Sequence, residues 1–431
     1  MEMNRFLTHS LQDARIARVL SAALEAVDPF QAVQSYLPGL QGRVFGLGIG
    51  KAAIPMMDAL AARVPLTGGL AVTKFASRDA SGLYPVIEGG HPIPDARSIQ
   101  AGERVLEFVS SLGAEDTLVC LISGGGSALV TASYVPLEDL QTLTSLLLSS
   151  GARIDEINIL RRQLDRLKGG GLARATKARI ISLILSDVIG NPLEAIASGP
   201  TMPDPTTKVD AMSVLKKYKI ENEVPKSILD ILLSVPSLAL AGKNDEGIRE
   251  RVENIIIGDN KLAALAALQR AEKEGFHAEI LTNSLQGEAR EVGRELAHRL
   301  RVDSSTKARP FCLIAGGETT VTLRHSSGQA FKGSGKGGRN QELALAAVTQ
   351  LADLKDVMLV ALATDGDDGP TDAAGAVVTG DSARRAESLG LDAAAHLSRN
   401  DAYPFFEKLG DLLKTGPTGT NVNDLIFLFA I

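Results

Sequence analysis

The chain has 431 residues, 45% of them hydrophobic and 22% charged, which is enough to bury a large core and too long for one compact unit, so two domains are expected. A formal net charge of −6 lacks the basic excess of a protein that holds nucleic acid by its phosphates. The two cysteines, Cys120 and Cys312, sit inside apolar runs, which argues against a disulfide framework or a thiolate metal centre. No apolar run is long enough to cross a bilayer, and acidic Glu2 and Asp13 stand near the start, so a cytoplasmic protein with no membrane partner is expected.

Between residues 5 and 27, Leu7, Leu11, Val19, Leu20, Ala23 and Val27 recur at spacings near three and four, which predicts an amphipathic helix ended by Asp28-Pro29. Residues 43–53 then read as a strand, a glycine-rich turn and a helix start. Gly46, Gly48 and Gly50 approach a dinucleotide fingerprint, but Lys51 stands where its third glycine belongs, and Ala52 after the Gly-Lys pair excludes a Walker A loop. A lysine at a helix N-terminus opposes the helix dipole unless an anion is present, which makes Lys51 a candidate ligand. Strands follow at 70–74 and 84–88. After them, two prolines fix the backbone around His91, a candidate acid, base or phosphate contact, and Asp95 or Ser98 caps a helix running to Phe108.

The strand over 116–122 delivers Ser123, Gly124, Gly125, Gly126 and Ser127, a loop that exposes backbone N–H groups before a helix start and so suits a phosphate. Helices are expected at 137–149 and 155–167. The second leaves Arg161, Arg162, Arg166 and Lys168 off its apolar stripe, with Asp165 in i,i+4 reach of Arg161. Lys168, beside Gly169-Gly170-Gly171, is a second candidate anion contact, and a helix is expected to restart over 172–178. The buried-strand run 179–186 ends in Asp187, a carboxylate at the edge where parallel α/β sheets bind ligands, and a proline-rich loop follows over 191–205.

Lysine and glutamate dominate 208–254, and the domain boundary is placed there, giving expected domains at 1–245 and 250–431. The second would open with a strand at 254–258. Further strands are expected at 276–282, 310–315, 321–323, 357–363 and 425–431, so both halves read as α/β. Glu318 follows one of these strands. Lys332, Gly335, Lys336, Arg339, Asn340 and Gln341 precede the helix at 343–351, as donors that could surround a polyphosphate or carboxylate. Asp365, Asp367, Asp368 and Asp372 crowd one loop and would repel one another without a cation, which suggests Mg²⁺. Taken together these corners ask for an anionic, multi-phosphate substrate and for phosphoryl transfer, with Asp187 or Asp365 orienting or deprotonating a hydroxyl.

Eight ordered motifs then carry a resemblance across nearly the whole chain: Gly48 to Ala53, Gly89 to Ser98, Ile122 to Leu129, Leu167 to Ala173, Ser186 to Thr201, Gly316 to Thr322, Gly335 to Glu342 and Thr364 to Ala376. They resemble those of the MOFRL-type, or class II, glycerate kinases, the glycerate 2-kinases, some of which have been named hydroxypyruvate reductases. The resemblance implies a Rossmann-like N-terminal domain with a mostly parallel sheet, a second α/β domain with a mixed sheet and a cleft between them. It also implies transfer of the ATP γ-phosphoryl group to the 2-hydroxyl of D-glycerate with Mg²⁺. Lys51, Asp187 and Arg339 match the family's active-site positions, and Glu318 and Asp365 fall in its acidic motifs. The site expectation is therefore catalysis by Lys51, Asp187 and Arg339, and nucleotide binding by Ser123 to Ser127, Lys168, Gly335 and Lys336. Lys51, His91 and Arg339 would bind substrate, and Asp187, Glu318 and Asp365 would hold metal. Two departures stand out: Arg162-Gln163 replaces a lysine-histidine pair, and Asn191 replaces an acidic residue. A nicotinamide-dependent hydroxypyruvate reductase and a non-catalytic nucleotide sensor are the alternatives, and a homodimer is admitted.

Overall fold

Apolar runs of five to seven residues form the central strands of two separate sheets. In the computed structural model, which describes residues 3–37, 39–40, 42–75, 82–234, 243–323 and 335–431, the chain divides by its contacts into two units. One is Pro29–Ile257, and the other joins Met1–Asp28 to Gly258–Ile431.

The first unit is built on an all-parallel sheet of β1 (Arg43–Ile49), β2 (Gly68–Thr73), β3 (Val86–Glu88), β4 (Asp116–Ile122), β5 (Arg179–Leu185) and β6 (Val252–Gly258). Its order is β3-β2-β1-β4-β5-β6, so the direction of winding reverses between β1 and β4. Every residue of β4 is buried, as expected of a parallel strand covered on both faces. The register sets Ile49 beside Ile122, and Ile122 beside Ile184. Three strands therefore end level, and the turns carrying Lys51, Gly124 and Asp187 leave the same edge of the sheet.

The second unit holds a mixed sheet of β7 (His277–Leu285), β8 (Phe311–Gly317), β9 (Val357–Ala363), β10 (Gly375–Thr379), β11 (Leu412–Leu413) and β12 (Asp424–Ala430). The order is β11-β10-β9-β12-β8-β7, with β7 and β8 parallel and the other pairs antiparallel. β12 lies in the middle, its first residue Asp424 paired with Gly317 on one side and Ala363 on the other. Helices Ala289–Thr306 and Arg339–Leu351 pack together against this sheet, with Leu296, Leu300, Leu343 and Val348 in the shared core.

Several expectations are corrected. The first helix spans only Ala14–Glu25, because the Asp13 carboxylate accepts the Arg15 N–H at 2.8 Å and so caps it there. It belongs to the second unit, where it packs on the Asn260–Lys273 helix, so a first domain beginning at residue 1 does not describe the contacts. Likewise β6, expected to open the second domain, is an edge strand of the first sheet. The lysine- and glutamate-rich stretch that suggested a boundary contains the surface helices Lys208–Lys217, Lys226–Leu233 and Lys243–Arg251. The 155–167 helix ends at Gln163, the 172–178 helix is a single turn over Gly171–Arg174, and 321–323 is not a strand.

Candidate functional site

In the first unit the site is assembled at the level ends of β1, β4 and β5. Ser123 donates its N–H to Ile49 O at 2.9 Å, and Lys51 N–H donates to Gly124 O at 2.9 Å, so the two glycine turns are tied edge to edge. The Ser123 hydroxyl accepts the Ala52 N–H at 3.0 Å and thereby caps the Ala53–Arg63 helix from a neighbouring strand. Gly124 admits no side chain: a β-carbon there would lie 2.0 Å from Asp187 Oδ2, so the carboxylate rests directly against the loop backbone. At Gly125 a β-carbon would stand 3.3 Å from His91 Nε2 and 3.4 Å from Lys51 Cγ. Lys51, His91, Asp187 and the loop from Ser123 to Ser127 are thus brought together.

The expected helix after this loop is one turn, Gly126–Leu129, too short for a macrodipole. What the loop offers an anion is its own N–H groups; among the described residues those of Gly124 and Gly125 meet no backbone acceptor. Burial, then the charges of Lys51 and Lys74, hold the His91 imidazole down at about 4, so it is neutral at pH 7. It can give or take a hydrogen bond but does not supply a positive charge.

Lys168 takes a different part from the one expected. Its ammonium is buried and donates to Val130 O at 3.1 Å, to Thr131 Oγ1 at 3.4 Å and to the Asp165 carboxylate. Those three acceptors occupy its three N–H bonds, which leaves none for a phosphate. Asp165 consequently pairs with Lys168 and not with Arg161.

Residues 195–199, missed as site residues, support the corner. Ala197, Ser198 and Gly199 hold positive φ of 49°, 60° and 62°, a strained run. Ser198 Oγ lies 2.7 Å from Ser127 Oγ, and the carbonyls of Ser198 and Gly199 accept the N–H groups of Gly169 and Gly170. Ser198-Gly199-Pro200 in the proline-rich loop was the available signal. The two departures are structural: Arg162 and Gln163 both donate to Asp204, at 2.8 and 2.7 Å, and Asn191 occupies a φ of 55°, which asparagine tolerates better than most residues.

In the second unit, the start of β12 and the ends of β8 and β9 form a second polar cluster. Arg339, the first residue of its helix, grips Asp424 with Nε and Nη2 at 2.6 and 3.1 Å and Glu318 with Nη1 at 2.5 Å. Burial opposes its charge, but Asp424 and Glu318 outweigh that and raise its pKa further. Asp424 itself is buried and pushed upward by burial, with Arg339 pulling the other way. Asn260 fixes this end of β12 by donating Nδ2 to the carbonyls of Val422 and Asp424, each at 2.9 Å. Neither Asp424 nor Asn260 was singled out in the sequence, since their importance arises from pairing across strands distant in the chain.

The remaining donors of the basic loop serve the fold. Asn340 and Gln341 give their backbone N–H groups to Asp368 at 3.0 and 2.8 Å, so that a carboxylate from another loop caps their helix. Lys336 Nζ lies 3.6 Å from the centre of the Tyr403 ring, and Gly335 donates its N–H to Arg399 O. Lys332 lies outside the described residues. Nor do the four aspartates form one repelling group. Asp368 is buried as a cap, and Asp372 accepts from Tyr403 Oη at 2.6 Å and Lys414 Nζ at 3.0 Å. Asp365 Oδ1 accepts the Asp367 N–H.

Among the described residues no three His, Cys, Asp or Glu stand close enough to hold a metal. Mg²⁺ that arrives with a nucleotide needs only one or two protein carboxylates, with phosphate oxygens and water completing its shell. Both cysteines are free and buried, and burial pushes the Cys120 thiol up to about 12. Among the described residues no helix is long and apolar enough to cross a membrane.

Residues 15–233 match a domain of unknown function (DUF4147), and residues 311–424 match the MOFRL family. The chain is 39% identical to the glycerate 2-kinase of Pyrococcus horikoshii, covering 95% of each chain. To the D-glycerate 2-kinase of Thermotoga maritima it is 42% identical, covering 95% of this chain and 96% of that one. A crystal structure of glycerate kinase from Thermotoga maritima superposes with a TM-score of 0.84 at 40% identity, covering 96% of this chain and 98% of that one.

Proposed function

The chain belongs to the glycerate kinase family, and from that premise we propose that it transfers the γ-phosphoryl group of ATP to the 2-hydroxyl of D-glycerate, giving 2-phosphoglycerate and ADP. One observation carries the reading beyond kinship: an exposed lysine, loop N–H groups with no backbone acceptor and a carboxylate leave one sheet edge together, at the reversal point where such sheets bind ligands.

Phosphoryl transfer is catalysed mainly by positioning and charge neutralisation. The loop from Ser123 to Ser127 cradles phosphate oxygens, with Lys51 supplying positive charge. Lys168 acts one step away, by holding Asp165 and the Val130 carbonyl in place. The acceptor's 2-hydroxyl oxygen forms the new bond to the γ-phosphorus while the bond to the β,γ-bridging oxygen breaks and its electron pair leaves with ADP. Asp187 takes the hydroxyl proton. His91, neutral, orients the acceptor by a hydrogen bond. Arg339, already aligned by Asp424 and Glu318, stabilises the charge of the transferring group. Asp187, Glu318 and Asp365 are the carboxylates that would hold Mg²⁺, whose charge offsets that of the phosphates. The protein works on small molecules in the cytoplasm.

The regiochemistry is tested by coupling the reaction to enolase with no phosphoglycerate mutase present. Enolase consumes 2-phosphoglycerate directly, so a signal is expected at once. A signal that appears only when mutase is added overturns 2-phosphorylation. A hydroxypyruvate reductase would instead oxidise NADH with hydroxypyruvate, and no such loss of absorbance is expected.

A further inference from the structure

Arg161 sits near the end of the Ile154–Gln163 helix, half-buried, with an incomplete set of partners. Its one hydrogen bond among the described residues is from Nη1 to Asn158 Oδ1 at 3.4 Å, a long contact for a group that carries five N–H donors. The carboxylate one turn further on does not serve it. Asp165 already accepts Lys168 Nζ, the Leu167 N–H at 2.8 Å and the Lys168 N–H at 3.3 Å. Burial accordingly works against the guanidinium charge.

The same guanidinium lines a small cavity with Ser127, Thr131, Thr144, Leu164 and Lys168. Two cations and three hydroxyls thus face one space, with Asp165 the one carboxylate on its wall. The wall is one negative charge short, and a half-buried guanidinium with one long hydrogen bond is completed by an anion. Ser127 belongs to the phosphate-type loop, so this cavity adjoins the proposed reaction centre. The space is about 30 Å³ and carries aliphatic carbon from Leu140 and Leu164 beside the hydroxyls, which suits the carboxylate end of a short acid better than a nucleotide.

We infer that Arg161 binds the carboxylate of the three-carbon hydroxy acid, with the hydroxyls of Thr131 and Ser127 beside it, and so selects an acid over a neutral polyol. This rests on the glycerate kinase reading. A planar guanidinium pairs with a carboxylate through two parallel N–H···O bonds, which lysine cannot reproduce. The anion could alternatively be a phosphate of the donor, and the two sources separate in kinetics.

The experiment compares the wild type with Arg161→Gln and Arg161→Lys by steady-state kinetics, calorimetric titration with D-glycerate and thermal melting. For Arg161→Gln, kcat/KM for D-glycerate is expected to fall ~100-fold or more, mostly through KM, while KM for ATP stays within about twofold. Arg161→Lys should recover only part of the loss, and neither variant should melt lower, since an under-partnered cation is being relieved. A rise in KM for ATP with glycerate unaffected, or unchanged glycerate kinetics in either folded variant, overturns the assignment. If the wild type phosphorylates no glycerate, the functional reading fails, and calorimetry decides Arg161 alone. Equal binding of D-glycerate by wild type and Arg161→Gln, or binding by neither, then rejects it.

Discussion

Gly124 shows how a single missing carbon can seat a carboxylate against a loop backbone. Because a β-carbon would fall 2.0 Å from Asp187 Oδ2, Gly124→Ala must push the carboxylate or the loop aside. Overpacking of this kind costs about 1–3 kcal/mol of stability, whereas misplacing a reacting group by about 1 Å can cost ~100-fold in rate. The variant should therefore fold, melt only a few degrees lower and lose most of its kcat; a normal kcat in the enolase-coupled assay would remove Asp187 from the mechanism. His91 makes a second residue-scale case. Its folded pKa of about 4 lies below the ordinary 6.5, so the stability it contributes is fully present above 6.5 and is lost as pH falls through 4. Its ring proton resonances should stay flat between pH 8 and 5.5. A titration midpoint near 6.5 would show that the imidazole is solvated and unconstrained.

Among the elements, the Arg339–Leu351 helix is the most informative, because its N-terminus has no capping side chain of its own. Asp368 supplies the cap from the loop after β9 and is fully buried there. Burial drives its carboxyl up to about 7, although the N–H groups of Asn340 and Gln341 pull it down and Asp424 pushes it up. A carboxyl whose folded pKa is raised favours the folded state while protonated. Its contribution is thus complete below about 4 and is lost as pH rises through 7. The melting temperature of the wild type minus that of Asp368→Asn should fall by a few degrees between pH 4.5 and 7.5. A difference that is flat or rises over that range would place the titrating group elsewhere. The same helix shows why the Gly335 to Glu342 motif was only partly legible. Its richness in donors was plain, but which of them serve the fold depends on Asp368, Tyr403, Arg290 and Asn400, all remote in sequence.

At the scale of the molecule, the chain's first 28 residues belong to a unit whose remainder begins at Gly258. Ile16, Val19, Leu20 and Leu24 are buried in the Ala14–Glu25 helix, Arg18 pairs with Glu274, and Thr8 and Ser10 donate to the buried Asp411. Removing residues 1–28 should cost that unit on the order of 5 kcal/mol or more. In native-state hydrogen exchange the amides of β8 and β12 should then lose protection while those of β4 and β5 keep it. Equal loss in both sheets would mean that the two units do not fold as separate cooperative bodies.

The buried strands were legible because a fully covered strand needs an unbroken apolar run, and β4, β5, β9 and β12 each have one. The glycine corner with Lys51 and Asp187 was legible because close backbone approach admits no side chain and because a lone charge at a strand end calls for a partner. By itself, then, the sequence determined that this is an α/β protein with glycine-rich corners at its strand ends, since periodicity and glycine placement are local properties of the chain. Tertiary structure alone decided that β6 completes the first sheet, that the N-terminal helix serves the second unit, that Asp165 neutralises Lys168 and that Asp424 aligns Arg339. Each of these is a pairing between segments that nothing local brings together, chosen only when burial makes every charge and every strand edge find its neighbour.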